Sequence, residues 1–238
     1  MKERPLIFNG EMVRAILDGR KTQTRRVMKV QPECPDLGIR YILESTNSND
    51  IGKYFWSQSD ACGINKPRSK PFPCPFGQVG DRLWVREAYQ GPLFNFDQME
   101  TYLEDTSKFE RPEFCEYRAD GGRTPEYYDA DDNLRHGWKP SIHMPRWASR
   151  ILLEITAVRV ERLNDISEAD AINEGIDADS LAESQDNYDC IADHNMTGRP
   201  TAKGHFSDLW QSIYGEESWA ANPWVWVIEF KRVEAQHG

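Results

Sequence analysis

The strongest constraint on the fold is one segment, residues 151–163, in which Ile, Leu and Val recur at near-alternating positions. Alternation with a period of two is typical of a β-strand with one buried face. Residues 167–170 (SEAD) then have the spacing of a helix capping box, and Gly175 suits the end of a helix because glycine tolerates a left-handed backbone. We therefore predict a core strand followed by a short helix that ends at about Glu174.

The other predicted elements are short and do not follow a regular strand-helix alternation. Apolar residues predict strands at 5–8, 82–88 and 223–233, and the turn at Gly19 predicts a further strand at 21–29. Helical spacing predicts helices at 11–18 and 205–213. This order favours an α+β fold, a small mixed β-barrel flanked by short helices. The glycine-rich phosphate motifs GxGxxG and GxxxxGK[ST] are absent, so hydrolysis of a nucleoside triphosphate has no support in the sequence. We predict no cofactor.

Two long stretches interrupt these elements. Residues 31–76 are rich in Pro, Ser, Asn, Asp and Gly, and residues 91–137 are acidic and aromatic. We interpret both as insertions into one domain that spans the chain of 238 residues. The predicted core then consists of about 1–30, 77–90, 138–176 and 205–233.

The overall charge restricts the class of partner. The formal net charge is -10 and the pI is about 5.1, which argues against binding of long nucleic acid by phosphate neutralisation. Basic clusters remain at 20–26 and 146–150. A nucleoside or a short RNA is therefore the expected partner, and long DNA is not.

The chain carries no pattern of secretion or membrane insertion. Its first ten residues, MKERPLIFNG, lack the apolar run of a signal peptide, and no stretch approaches the ~20 apolar residues of a membrane span. The five cysteines form no CxxC pair, and their odd number leaves at least one unpaired. We expect a cytoplasmic protein with reduced thiols.

The densest group of reactive side chains is GRKTQTRR at residues 19–26. Lys21 and Thr24 are three residues apart on a predicted bend, so the amine can act as a base for the hydroxyl if burial or nearby cations lower the lysine pKa. The alternative is a lysine that only stabilises the end of the preceding helix, beside solvated arginines. The residues themselves leave both interpretations open.

Glu174 stands in the last turn of the second predicted helix, where the helix dipole favours a protonated carboxyl. This position suits a proton donor, but also fits an ordinary surface glutamate before a glycine cap. A third candidate segment, WKPSIHMPRWASR at 138–150, offers Arg146 and Trp147 for stacking and phosphate contact. Its alternative role is a rigid connection into the core strand, and His143 is assigned no chemistry.

A zinc site is a further alternative for the cysteines. Cys34, Cys62, Cys74 and Cys115 can in principle collect with a histidine around a metal that staples the insertions. Their spacings are not those of known zinc motifs, so the expected state is idle or buried thiols and no metal.

The combination of these segments resembles the ASCH family, which has a PUA-like barrel and a GxKxx[TE]xR signature. Gly19, Lys21, Thr24 and Arg26 match that signature. GDRLWVREAY at 80–89, LEITAVRVERLNDISEADAINEGI at 153–176 and NPWVWVIEF at 222–230 follow in the family's order. The likeness covers roughly half of the chain and is greatest to phage and prophage members of the family.

The resemblance implies a function as well as a fold. Small bacterial relatives are amidohydrolases that remove the acyl group from N(4)-acetylcytidine with a lysine, a threonine and a glutamate. By motif, Lys21 is then the general base, Thr24 the nucleophile and Glu174 the proton donor. The expected substrate-binding residues are Arg26, Arg146, Trp147 and Glu87.

Other functions remain open from the sequence. A non-catalytic protein that binds RNA or a modified base depends on Arg26, Arg146 and Trp147 rather than on Thr24. A ribonuclease would use Lys21 for the phosphate and Glu174 for acid or base catalysis. A phage assembly protein would bind a protein partner through its aromatic insertions.

Overall fold

The computed structural model describes residues 1–58, 69–128, 133–191 and 198–234. These ranges contain six α-helices and eleven β-strands, joined by turns and short 3₁₀ helices. The helices are α1 (Gly10–Leu17), α2 (Met99–Glu104), α3 (Glu168–Asn173), α4 (Ala178–Ile191), α5 (Ala202–Tyr214) and α6 (Glu217–Ala220). The strands are β1 (Glu3–Ile7), β2 (Gln23–Val27), β3 (Gly38–Tyr41), β4 (Tyr54–Ser57), β5 (Arg82–Arg86), β6 (Tyr89–Gln90), β7 (Glu116–Tyr117), β8 (Glu126–Tyr128), β9 (Leu134–His136), β10 (Leu152–Arg162) and β11 (Trp224–Val233).

The chain divides into two compact units, which are described separately. The first contains Met1–Gly19, Asp81–Glu154 and Lys231–Gly238, and the second contains Arg20–Gly80 and Ile155–Phe230. Strand β10 begins in the first unit and continues into the second. The single domain with two insertions stays a prediction.

In the first unit, β1 runs parallel to β5, and the start of β10 pairs with β5 in the antiparallel sense. Leu83 and Val85 of β5 are buried, as the alternation in the sequence predicts, and Leu153 lies opposite Leu83. A smaller apolar cluster gathers Tyr89, Tyr117, Met144 and Ala148. Because Tyr117 lies in the second predicted insertion, part of that insertion packs into this cluster.

Asn9 caps helix α1. The side chain of Asn9 accepts a hydrogen bond from the Met12 backbone N–H at 2.8 Å, which satisfies one of the free donors of the first turn. The buried face of α1 consists of Val13, Ala15 and Ile16. Met12, next to Val13 in the sequence, is only half-buried.

In the second unit, β2 pairs antiparallel with β11, and β11 neighbours β10. Helices α3 and α5 pack against β11 through a buried cluster. Its residues include Ala171 of α3, Phe206 and Trp210 of α5, and Val225 and Val227 of β11. Ser167 caps α3 by accepting a hydrogen bond from the Asp170 N–H at 3.1 Å, so the predicted capping signal is confirmed.

The first predicted insertion contains an ordered hairpin formed by β3 and β4. Two aromatic contacts join the hairpin to β11, because the Tyr54 ring lies 4.8 Å from Trp226 and the Trp56 ring 5.1 Å from Trp224. Trp56 is almost fully buried. The aromatic residues of the insertion therefore extend the core of the second unit.

Helix α4 was not predicted, because residues 177–203 lie outside the predicted core segments and carry no predicted element. The helix sequence, ADSLAESQDNYDCI, has no continuous apolar face. Leu181 is half-buried against the cluster of the second unit, and Gln185 donates to the Pro200 carbonyl at 2.8 Å. Periodicity of apolar residues is the signal on which helix prediction depends, and α4 lacks it.

The strand order β1-β5-β10-β11-β2 defines a five-stranded sheet, and no closed barrel occurs within the part of the chain that the structure describes. The predicted α+β class is confirmed, whereas the barrel is not. Among the described residues, no helix is long and apolar enough to cross a membrane.

Candidate functional site

The bend before β2 is attached to the end of α3. The Thr22 N–H donates to the Asn173 carbonyl at 2.8 Å, and Arg20 Nη1 donates to the Gly175 carbonyl at 3.1 Å. Carbonyls at the end of a helix lack partners inside the helix and carry partial negative charge. The basic segment therefore satisfies carbonyls at the C-terminus of α3.

Lys21 and Glu174 meet at this point. Lys21 Nζ donates to the Glu174 carboxylate Oε2 at 2.8 Å and to the Glu174 backbone carbonyl at 2.6 Å. The lysine side chain is 0% exposed and the glutamate side chain 3%. The structure thus brings together two of the three predicted catalytic residues in a buried ion pair.

Arg25 binds the second carboxylate oxygen of Glu174. Its Nη1 donates to Glu174 Oε1 at 3.1 Å, while Nη2 donates to Glu161 at 3.0 Å and lies 3.3 Å from Asp170 Oδ2. The Arg25 side chain is fully buried. Glu174 therefore accepts hydrogen bonds from two cationic side chains, each on a different oxygen.

An outer layer of charges surrounds this centre. Arg159 contacts Asp170 Oδ1 at 3.0 Å and also binds Glu161 and Glu229. Gln23 donates to Asp170 Oδ1 at 3.1 Å. A continuous chain of polar contacts therefore runs from Arg159 through Asp170 and Arg25 to the Lys21–Glu174 pair.

Burial changes the acidity of Lys21. Removal of the ammonium from water lowers the pKa of Lys21 below its ordinary value, and the attraction to Glu174 offsets only part of that effect. The positive charges of Arg26 and Arg25 lower the pKa further. A lysine in this setting gives up its proton more readily than one in water, which is a property of catalytic bases.

Thr24 lies in β2, next to Arg25, but it is not part of the hydrogen-bond network around Glu174. In the antiparallel pairing, Thr24 lies opposite Ile228, and its neighbours Gln23 and Arg25 lie opposite Glu229 and Val227. Successive side chains of a strand point to opposite faces, so Thr24 faces away from Gln23 and Arg25. Among the described residues, its hydroxyl makes no hydrogen bond to Lys21 or Glu174.

Arg26 is half-buried on the Thr24 face of β2 and lies opposite Trp226. Its Nη1 is 3.4 Å from the Tyr214 hydroxyl, at the upper limit of a hydrogen bond. The positive charge of Arg26 acts on the pKa of Lys21. Arg26 is thus near enough to the buried pair to influence it electrostatically.

The other predicted binding residues lie in the first unit. Glu87 is 1% exposed, and both of its oxygens accept hydrogen bonds from Arg150, at 3.0 and 3.1 Å. Arg150 also donates to Asp120 at 2.7 Å, and its guanidinium carbon lies 3.9 Å from the centre of the Tyr117 ring. Burial raises the pKa of Glu87, and Arg150 works against that effect.

Arg146 and Trp147 occupy a 3₁₀ turn between the second predicted insertion and β10. Arg146 Nε donates to Glu3 at 2.9 Å at the surface, and Trp147 packs against the cluster that contains Tyr117. These contacts fit the alternative that the sequence left open, in which this segment is a rigid connection into the core strand.

Sequence reasoning missed the residues that surround Glu174. The sequence left open whether Arg25 is solvated or is a cation that acts on Lys21, and the structure buries it beside the pair. Asp170 was noted only as part of the helix cap, and Glu161 and Arg159 were not singled out. A signal does exist: Lys21, Gln23 and Arg25 alternate with Thr22 and Thr24, which indicates one polar face of a strand.

Within the described ranges, no group of three or more His, Cys, Asp or Glu is placed to hold a metal ion. No disulfide joins Cys34, Cys74, Cys115 and Cys190, and Cys62 lies outside the described residues. No protein-family model matches the sequence, and neither a search of curated proteins nor a search of solved structures gives a match.

Proposed function

We propose that the protein is an amidohydrolase that removes the acyl group from N(4)-acetylcytidine or a related acylated nucleoside. The observation that carries this proposal is the buried bond of 2.8 Å between Lys21 Nζ and Glu174 Oε2. A lysine with a lowered pKa next to a carboxylate is suited to proton transfer near neutral pH.

The pair holds one proton that either partner can carry. In the ion pair the proton is on Lys21, and transfer along the bond leaves a neutral amine beside a carboxylic acid. Because a buried site disfavours separated charge, the neutral arrangement costs less there than in water. The neutral arrangement supplies the general base and the general acid that amide cleavage requires.

In the proposed mechanism, the Thr24 hydroxyl attacks the amide carbonyl carbon while Lys21 accepts its proton. The carbon–nitrogen bond then breaks, and Glu174 protonates the leaving exocyclic amine, which becomes cytidine. Water hydrolyses the acyl-threonine ester and releases acetate. Arg26 or a backbone N–H of the bend would stabilise the oxyanion.

The resemblance to the ASCH family supports this proposal through the signature residues Gly19, Lys21, Thr24 and Arg26. A PUA-like barrel, cytoplasmic location and an unmodified nucleoside or short RNA as product or ligand are parts of the same proposal. They rest on the sequence and on the α+β arrangement of the described residues.

A second candidate is a protein that binds a modified base or RNA without cleaving it. The position of Thr24 favours this function, because its hydroxyl makes no hydrogen bond to Lys21 or Glu174 within the described ranges. A threonine needs a base within reach to become a nucleophile. The buried pair would then only shape and charge the site.

The deciding experiment incubates the purified protein with N(4)-acetylcytidine and follows the release of cytidine and acetate. We expect turnover by the wild type and a loss of about 10² to 10⁴-fold for Thr24→Ala and Lys21→Met. Thr22→Ala is the matched control, since Thr22 is exposed and lies two residues from Thr24.

Two results separate the candidates. Turnover that survives Thr24→Ala would show that Thr24 is not the nucleophile. Saturable binding of the acylated nucleoside by a folded wild type that releases no cytidine would support the binding function instead. Circular dichroism of each variant checks that a loss of activity is not a loss of folding.

A further inference from the structure

A cleft in the second unit has no role in the proposed mechanism. The cleft has a volume of about 380 Å³ and lies between the β3–β4 hairpin and strand β10. Tyr41 and Tyr54 of the hairpin line one side, residues 158–160 of β10 line the other, and Gln78 and Val79 are among the remaining lining residues. Pockets of this size typically hold one small molecule.

The aromatic side of the cleft is held in place by ring contacts within the hairpin and with β11. Tyr41 and Tyr54 lie directly opposite each other in the hairpin, and their ring centres are 4.9 Å apart with a tilt of 58°. The Tyr54 ring packs edge-on against Trp226, which is buried. Tyr41 is 50% exposed, so a fixed ring presents an open face to a ligand.

The opposite side of the cleft is aliphatic. Arg159 binds Glu229 and Gln23 on one face of the sheet, so its neighbours Val158 and Val160 lie on the other face. Trp226 also lies on that other face, because it alternates with Val227, which lies opposite Arg25. The space between the tyrosine rings and the valines is therefore a slot suited to a flat molecule.

Polar groups stand at the margin of this slot. Among the described residues, the hydroxyls of Tyr41 and Tyr54 make no hydrogen bond. A side chain on Gly52 would meet Gln78 Oε1 at 3.6 Å and the Tyr41 hydroxyl at 3.7 Å, so the two polar groups and the bare glycine share one corner. This corner offers hydrogen-bonding groups to the edge of a ring that enters the slot.

We propose that this cleft is a binding site for a nucleobase, which stacks on Tyr41 and turns its polar edge toward Gln78 and the tyrosine hydroxyls. A planar ring with hydrogen-bonding groups only at its edge matches an aromatic wall, an aliphatic wall and a polar corner. The slot holds one base, and the net charge of -10 disfavours a long polyanion. A nucleoside or one base of a short RNA is the expected occupant.

The inference stands apart from the proposed hydrolase, because it rests on the hairpin and β10 rather than on Lys21 and Glu174. Its test uses adenosine and guanosine, which carry no acyl group to cleave, titrated into the full chain by calorimetry. We expect saturable binding that weakens at least about tenfold in Tyr41→Ala, the usual result of removing a stacking ring. Tyr41→Phe keeps the ring and should retain most of the affinity.

Tyr128→Ala is the matched control, since Tyr128 is also exposed and does not line the cleft. Equal affinity of Tyr41→Ala and the wild type, or no binding at millimolar nucleoside, would overturn the proposal. Competition by a short single-stranded RNA distinguishes a base within RNA from a free nucleoside, and the Tyr41→Ala loss must appear with either ligand.

Discussion

Two buried glutamates, one in each unit, have different partners. Glu174 of the second unit accepts hydrogen bonds from Lys21 and Arg25, and Glu87 of the first unit accepts them from Nε and Nη2 of Arg150. Both side chains are almost completely excluded from water. Burial alone therefore does not distinguish a catalytic carboxylate from a structural one.

The Glu174 pair and the Glu87 pair differ in the type of cation that binds the carboxylate. Burial lowers the pKa of Lys21, whereas Arg150 keeps its proton: burial opposes its charge, but the hydrogen bonds to Glu87 and Asp120 raise its pKa. An arginine does not release a proton under conditions in which proteins fold. Only the Lys21–Glu174 pair can transfer a proton, so we place the chemistry in the second unit and a structural link in the first.

Substituting Lys21→Arg breaks this comparison most strongly, because it gives the second unit the type of cation found in the first. The positive charge is kept but the shared proton is lost, so kcat/KM for N(4)-acetylcytidine should fall by about 10² to 10⁴-fold. Lys53→Arg is the control, since Lys53 pairs with Asp50 at 2.9 Å near the surface. Unchanged activity in a folded Lys21→Arg protein would rule out proton transfer by Lys21.

The next largest effect is on stability and concerns the first unit. Arg150→Met leaves Glu87 buried without its cation, which should lower the free energy of unfolding by about 3 to 5 kcal/mol. Adding Glu87→Leu removes the unpaired carboxyl and should restore part of the loss. Urea unfolding measures both values, and a double variant no more stable than Arg150→Met would contradict an unpaired charge as the cause.

The pH dependence of turnover sharpens the comparison. The Lys21–Glu174 pair is active when the two side chains share one proton. At high pH this proton is lost to solvent, and Glu174 then has no proton to donate to the leaving amine. Because burial lowers the pKa of Lys21, the rate should fall with rising pH at a value below the ordinary 10.5. A profile of kcat/KM against pH, with folding checked by fluorescence, measures this limb, and a midpoint at or above 10.5 would count against a buried lysine in the reaction.

The local signals around Glu174 were readable from the sequence. The SEAD cap predicted α3, the alternation at 151–163 predicted β10, and Gly175 marked the helix end, so the position of Glu174 followed from short-range rules. The pairing of Lys21 with Glu174 came instead from the likeness to the ASCH signature. No spacing rule joins two residues that are 153 positions apart.

The environment of the pair could not be predicted in the same way. Arg25 reaches Glu161 and Glu174 across 136 and 149 positions, and its burial depends on which face of β2 the helices cover. Alternation identifies two faces of a strand but not the one that is buried when both carry polar residues. In the first predicted insertion, 41–43 and 54–56 resemble structured segments in the sequence, and they overlap β3 and β4. Their pairing as a hairpin and their packing on the tryptophans of β11 depend on distant contacts that local signals do not give.

The smallest expected effect concerns the outer layer of the second unit. Burial alone would raise the pKa of Asp170, but hydrogen bonds from Gln23 and Ser167 and the charges of Arg25 and Arg159 outweigh it and hold the pKa below its ordinary value. A carboxylate whose pKa is lower in the folded protein than in the unfolded chain stabilises the fold at any pH above its unfolded-state pKa. This stabilisation is lost as the pH falls through the lowered, folded-state pKa. Asp170→Asn should therefore reduce stability by about 1 to 2 kcal/mol at pH 7, since the side chain is partly exposed.

The difference between wild type and Asp170→Asn should shrink as the pH falls below the ordinary aspartate value of 3.8, where both forms carry a neutral side chain. Asp208→Asn, an exposed position on α5, is the control and should change little. Urea unfolding at pH 7 and in acid measures the difference. If it stays constant with pH, the contribution of Asp170 is packing rather than charge, and only the inner pair of the second unit then differs electrostatically from the arginine link of the first.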